Sequence, residues 1–254
     1  MITIIKQKVY KGQRVSPADM NSTEFLEKIK GLQKPVFTSN DLQKLSGFDK
    51  KYLKVYLFRL KQHHRIQEVE KGKYALPLHP FIIASNVIFP TYISFFSAYF
   101  YHDLTTQMPN IIQIVSLRSK KRLKGEGYTI QFIKMSPFRV FGYTREKFME
   151  KYIFVAEKEK AIIDSLYLPE CCPLEETYIA LQGDLNVDLL ITYALRMKSI
   201  ILLKRLGYLL ELRGIDIFIK IKSKLNNRYD YLNPRQHQTG KKSKKWRLVI
   251  NIQF

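Results

Sequence analysis

Carboxylates and lysines crowd one stretch of the chain, VAEKEKAIIDSL, where Glu157, Glu159 and Asp164 are interleaved with Lys158 and Lys160. Acids close to a strand end can hold Mg²⁺, and a neighbouring lysine can stabilise charge developing on a phosphate, which is the equipment of a metal-dependent nuclease. The same residues have a plainer use. Acidic groups in the first turn of a helix are favoured by its dipole, and Asp164, set among Ile162, Ile163 and Leu166, reads equally well as a buried structural acid. The histidines His63, His64, His79, His102 and His237 have no ligand partner at helical or strand spacing, and Cys171 and Cys172 form no CxxC pair, so no metal site is expected. Adjacent cysteines bridge awkwardly, and without a disulfide framework the chain suits a reducing cytoplasm. There is no P-loop, no GxGxxG turn and no GxSxG elbow. Neither a catalytic residue nor a cofactor is expected.

The other chemistry is cationic. The chain of 254 residues carries a net charge of +21, a field that draws nucleic acid or anionic lipid. It is spread along the sequence: residues 1–76 hold 16 Lys and Arg against 7 Asp and Glu, and the remainder holds 27 against 15. Two runs each place five cations in seven residues: Arg118, Lys120, Lys121, Arg122 and Lys124, and then Lys241, Lys242, Lys244, Lys245 and Arg247. Either run suits a phosphate backbone, with Trp246 available to stack on a base; either is also an ordinary solvated loop.

Helices and turns must position a further set of cations near the N-terminus. A helix is expected from about Ser22, taken as its cap, to Gly31, with Phe25, Leu26 and Ile29 inward. A short extended piece follows, then a short helix capped at Ser39 and closed by Gly47, and a third helix capped by Asp49. In the third, Leu53, Leu57 and Leu60 define a core stripe. RIQEVEKGKYAL reads as two short strands joined at Lys71-Gly72. This is the order of a winged helix-turn-helix over residues 22–76, a fold that lays its third helix in the major groove of DNA. Lys50, Lys51, Lys54 and Val55 would meet base edges there, with Lys61 further along the same flank. Thr38 and Ser39 would offer hydroxyls and N–H groups to a phosphate, and Lys71 and Lys73 would charge the wing tip. A protein-docking module with a solvated lysine face is the other reading. Residues 1–21 form a basic extension, with no signal peptide evident in MITIIKQKVYKGQ.

From Tyr74 to His102 there is no Asp, Glu, Lys or Arg. A membrane span needs ~20 apolar residues in one helix, and Pro77, Pro80 and Pro90 interrupt this stretch. It therefore reads as a linker over 77–90 and a buried helix from about Thr91 to His102, opening a second domain over 91–254. Strands are expected in NIIQIVSL, YTIQFIKM, KYIFVA and WRLVINI, and helices at EKEKAIIDSLYL, 174–181, 187–198 and 200–213. The fold class is mixed α+β, with a small sheet and several helices in the second domain.

YISFFSAYFYHDLTTQMPNIIQIVS, FIKMSPFRVFGY, YIFVAEKEKAIIDSLYLPECC, RMKSIILLKRLGYLLE and the terminal YLNP and GKKSKKWRLVINI, taken in that order, resemble the AbiEi family. These are antitoxins and transcriptional regulators of type IV toxin–antitoxin systems. The resemblance spans roughly residues 22–254. It implies a cytoplasmic autorepressor that binds double-stranded operator DNA, an inverted repeat occupied by a homodimer or by cooperating monomers. It also implies a second domain that counteracts a nucleotidyltransferase-like toxin without necessarily binding it. The chain lacks the Gly-Ser followed by paired aspartates of a nucleotidyltransferase, so it resembles the antitoxin of such a pair. His102 falls where the family often has histidine and reads as a packing and capping residue. A regulator acting without a toxin, or a nuclease guided by a winged helix, are the alternatives.

Overall fold

The structure is a computed structural model that describes residues 21–32, 34–236 and 239–254. Residues 1–20 of the basic extension, and His237, lie outside the described residues. The chain is mixed α+β and divides into two units, one ending at Leu78 and the other running from His79 to Phe254.

In the first unit, α1 (Ser22–Gly31) is capped one residue earlier than expected, by Asn21, whose side chain accepts the Glu24 N–H at 2.8 Å. Strand β1 (Val36–Thr38) leads into α2 (Ser39–Ser46), and the cap is Thr38 rather than Ser39. Thr38 and Asp41 exchange hydrogen bonds in a capping box, which satisfies two otherwise orphaned donors at once. Gly47 ends α2 in the left-handed region, φ 71°, where a side chain would be strained. Helix α3 (Lys50–Gln62) starts at Asp49, whose carboxylate accepts the N–H groups of Lys51 and Tyr52. Strands β2 (Gln67–Glu70) and β3 (Lys73–Ala75) form a hairpin to which β1 adds, giving the order β1-β3-β2. Phe25, Ile29, Phe37, Leu42, Phe48, Leu53, Leu57, Leu60 and Ile66 make one core.

The uncharged stretch is neither a membrane span nor a linker. No helix among the described residues is long and apolar enough to cross a membrane. Residues 77–90, expected as a linker, contain α4 (Pro80–Asn86), with Phe81 to Ser85 buried. The proline that looked like a breaker starts this helix: at the first helical position its missing N–H has no partner to lose. The expected helix from Thr91 is likewise corrected. Thr91–Ile93 is strand β4, wholly buried, and the helix α5 begins at Phe95 and ends at Tyr101. Two β-branched residues in three, with pairing partners on both sides, prevail there over helix formation.

The sheet continues with β5 (Ile111–Ser116), β6 (Leu123–Lys124), β7 (Thr129–Lys134), β8 (Tyr143–Phe148) and β9 (Lys151–Ala156). Its six strands run in the order β6-β7-β5-β4-β9-β8. β5 pairs with β7 in parallel, Ile111 opposite Thr129, so the basic run at 118–124 lies on the crossover between them and ends in β6, which pairs antiparallel with β7. β5 is apolar almost throughout, as suits a strand covered on both faces. Helix α6 (Lys158–Tyr167) follows β9 and is buried from Lys160 to Leu166. Around it come α7 (Leu174–Leu181), α8 (Val187–Arg196) and α9 (Ile200–Leu212). After α10 (Phe218–Ile221), strands β10 (Asp230–Tyr231), β11 (Lys241–Ser243) and β12 (Leu248–Ile250) make a small sheet with β12 in the middle.

Candidate nucleic-acid interface

Helix α3 has two unlike faces. Leu53, Leu57 and Leu60 enter the core, and the opposite side presents Lys50, Lys51, Lys54, Val55, Phe58, Arg59 and Gln62 to solvent. Lys50, Lys51, Lys54 and Arg59 make no ion pair among the described residues. The helix KKYLKVYLFRLKQ carries five cations and no acid, so nothing on it neutralises the face. At its N-terminal half a cleft of about 350 Å³ is lined by Ser39, Asn40 and Gln43 of α2, by Lys50 and Lys54, and by Lys71 and Gly72 of the hairpin turn. Three structural elements thus converge on one basic concavity, in which Glu68 is the single acid.

The remaining expected contacts of this unit divide. Lys71 is exposed. Lys61 is held by Glu68 at 2.6 Å, which raises the lysine's pKa, and Lys73 lies 3.4 Å from Glu70. Both are surface pairs of small energy, so either lysine can exchange its acid for a phosphate. Of the phosphate donors expected here, those of Thr38 and the Ser39 N–H are used inside the fold, whereas the Ser39 hydroxyl, 3.4 Å from the Gly72 carbonyl, lines the cleft. The Thr38 hydroxyl accepts from the Asp41 N–H and donates to its carboxylate, and the Thr38 N–H goes to the same carboxylate at 2.8 Å. The Ser39 N–H is used by the Gly72 carbonyl at 2.9 Å. The anion at this helix start is already Asp41, whose pKa is lowered by the backbone and side-chain hydrogen bonds from Thr38 and by Lys34. Phe58 and Arg59 were absent from the sequence-derived set. Counting 3.6 residues per turn outward from the leucine stripe places both on the exposed side, so the signal was present but unread.

In the second unit the basic runs are only partly free. Arg118, Lys121, Arg122 and Lys124 are exposed, and the Lys120 ammonium sits 5.6 Å from the Phe132 ring centroid. Lys124 lies on β6, an edge strand of two residues, where lysine also guards against edge-to-edge pairing. In the second run Lys241, Lys242 and Lys244 are exposed. Lys245 binds Glu211 and Asp216, and the Arg247 guanidinium reaches the Tyr229 hydroxyl at 3.4 Å. Trp246, expected as a stacking platform, is fully buried and donates its indole N–H to Glu211. A Cβ on Gly207 would stand 2.1 Å from its ring. It lies in the turn between β11 and β12, packed against α9 and Phe218, and cannot meet a base.

The nuclease arrangement is not assembled. Glu157 accepts from the Tyr193 hydroxyl, and Glu159 accepts the Asn186 N–H at 2.8 Å, so the two acids tie the start of α6 to the body of α8 and to its cap. Asp164 and Lys160 are fully buried and paired with each other. No group of three or more His, Cys, Asp or Glu able to hold a metal occurs among the described residues. His102 closes α5 and its ring contacts the Ala156 carbonyl at 2.7 Å. Both cysteines are free, and burial pushes their thiols up to about 11 for Cys171 and about 12 for Cys172, so neither is a thiolate at neutral pH. The chain matches no protein-family model and no curated protein.

Proposed function

We propose that the chain is a DNA-binding transcription regulator, whose residues 22–76 act as a winged helix-turn-helix with α3 in the major groove of double-stranded DNA. The single observation that carries this is the outward face of α3, four unpaired cations on a helix without an acid. The element order helix, strand, helix, helix, hairpin supports it, because it sets α3 against a brace helix and beside a short turn bearing Lys71. The AbiEi resemblance extends the reading: an autorepressor on an inverted repeat of its own upstream DNA, occupied by two copies. In that reading the second unit serves as the antitoxin of a type IV system, acting against a nucleotidyltransferase-like toxin in the cytoplasm.

The test is a fluorescence-anisotropy titration of the duplex upstream of the chain's own coding sequence, over a salt series. Wild-type affinity is expected to fall steeply with salt, and Lys50→Ala/Lys54→Ala to flatten the log–log slope by about two, roughly one for each cation removed from the groove. Weak binding to any duplex, unchanged in the double variant, would sink the reading and favour a protein-docking module.

A further inference from the structure

Two apolar side chains stand in the middle of the cationic face. Val55 is 49% exposed and Phe58 57% exposed, outside the leucine stripe that enters the core. With Lys51 and Gln62 they form a single row at i, i+4, i+7 and i+11, about 16 Å long at 1.5 Å per residue. The flanks of the row are Lys54 and Arg59. A row that sat against another protein's apolar surface would have to desolvate these cations without an acid to receive them on α3 itself. The floor of the major groove has both features needed: phosphates on its rims for the cations, and one apolar group at its base edges, the 5-methyl of thymine.

We infer that Val55 and Phe58 are specificity-determining residues that recognise thymine through its 5-methyl group, within the DNA-binding reading of α3. Lysine and arginine in this face hold phosphates or guanine and cannot select thymine. A phenyl ring and an isopropyl group can, since burying one methyl against an apolar surface changes affinity about fourfold. The protein therefore prefers sites with thymines spaced to match Val55 and Phe58, less than one turn of α3 apart.

The experiment compares the upstream duplex made with thymidine to the same duplex made with deoxyuridine throughout, which removes the 5-methyl and leaves base pairing intact. Wild-type full-length protein is expected to bind the uracil duplex several-fold more weakly, about fourfold per methyl contacted. Phe58→Ala, an exposed position whose change leaves the core untouched, is expected to lose most of this discrimination while keeping the wild-type salt slope. Lys50→Ala/Lys54→Ala is expected to do the reverse. Steeply salt-dependent binding with equal affinity for the two duplexes overturns the thymine assignment and leaves the DNA reading standing. No salt-dependent binding to either duplex overturns both. Loss of self-association in Phe58→Ala, with thymine discrimination retained, assigns the row to a second copy of the chain and also overturns the inference.

Discussion

Asp164 has no exposed surface and accepts from the Lys160 ammonium, the Ser94 hydroxyl at 2.8 Å and the Tyr92 hydroxyl at 3.1 Å. Burial pushes the carboxyl up and the ammonium down, and the attraction between them opposes both shifts. Such a pair is held by mutual satisfaction, and removing one member leaves a buried charge with no partner. Asp164→Ala should therefore cost about 3–5 kcal/mol in urea unfolding, whereas Lys160→Met/Asp164→Asn, which removes both charges at similar volume and keeps an acceptor for the two hydroxyls, should cost distinctly less. If the double replacement proves as damaging as the single one, the pair has a role that its packing does not explain. At the same scale, the acids that suggested metal chemistry resolve into helix fasteners: Glu157 and Glu159 each bind a group at α8 or its start. Residue type and spacing were identical in the two readings; burial separates them for Asp164 and hydrogen-bond partners for Glu157 and Glu159.

At the scale of elements, strongly periodic pieces were legible and pieces specified by their neighbours were not. The leucine stripe of α3 and the Asp49 cap are local properties, and the structure has both. Strand β8, YTREKF, was missed because it is an edge strand with charges at Arg145, Glu146 and Lys147, and edges favour such charges over a clean apolar pattern. α4 was hidden behind Pro80, and β4 inside a longer apolar run. Two helices of the second unit have a histidine at a cap, α4 at its start and α5 at its end. His79 caps α4 by accepting the Phe81 N–H on Nδ1 at 3.2 Å, and His102 closes α5. Burial lowers both pKa values below the ordinary 6.5. The unfolded chain then takes up protons that the folded chain refuses, so the stability of this unit is fully present above the unfolded value and is lost as pH falls toward the lowered folded values. Urea midpoints followed from neutral pH downward should decline through that window. His79→Asn, which keeps an accepting cap without titrating, should make the decline shallower, and an unchanged profile would show that His79 is not one of the groups responsible.

For the whole molecule, the charge of +21 conceals several uses of a cation. Lys160, Lys204 and Arg205 are buried and bind acids or carbonyls inside the fold. Lys245 is committed to Glu211 and Asp216. Exposed cations remain on α3, on the 118–124 crossover and on β11 with its turn. A count of charge cannot separate cations that place a protein on a particular sequence from those that only raise its affinity for any polyanion, because both contribute to the salt slope. Competition between the upstream duplex and a random duplex of equal length does separate them. Lys121→Ala/Arg122→Ala/Lys124→Ala should weaken binding to both duplexes alike, lowering the salt slope by up to about three and leaving their affinity ratio where it was. Lys50→Ala/Lys54→Ala should lower the ratio as well, because α3 is the element proposed to sit against base edges. A ratio that falls as far in the crossover variant as in the α3 variant would move sequence selection into the second unit, and the uncharged Val55 and Phe58 would then have no groove to read.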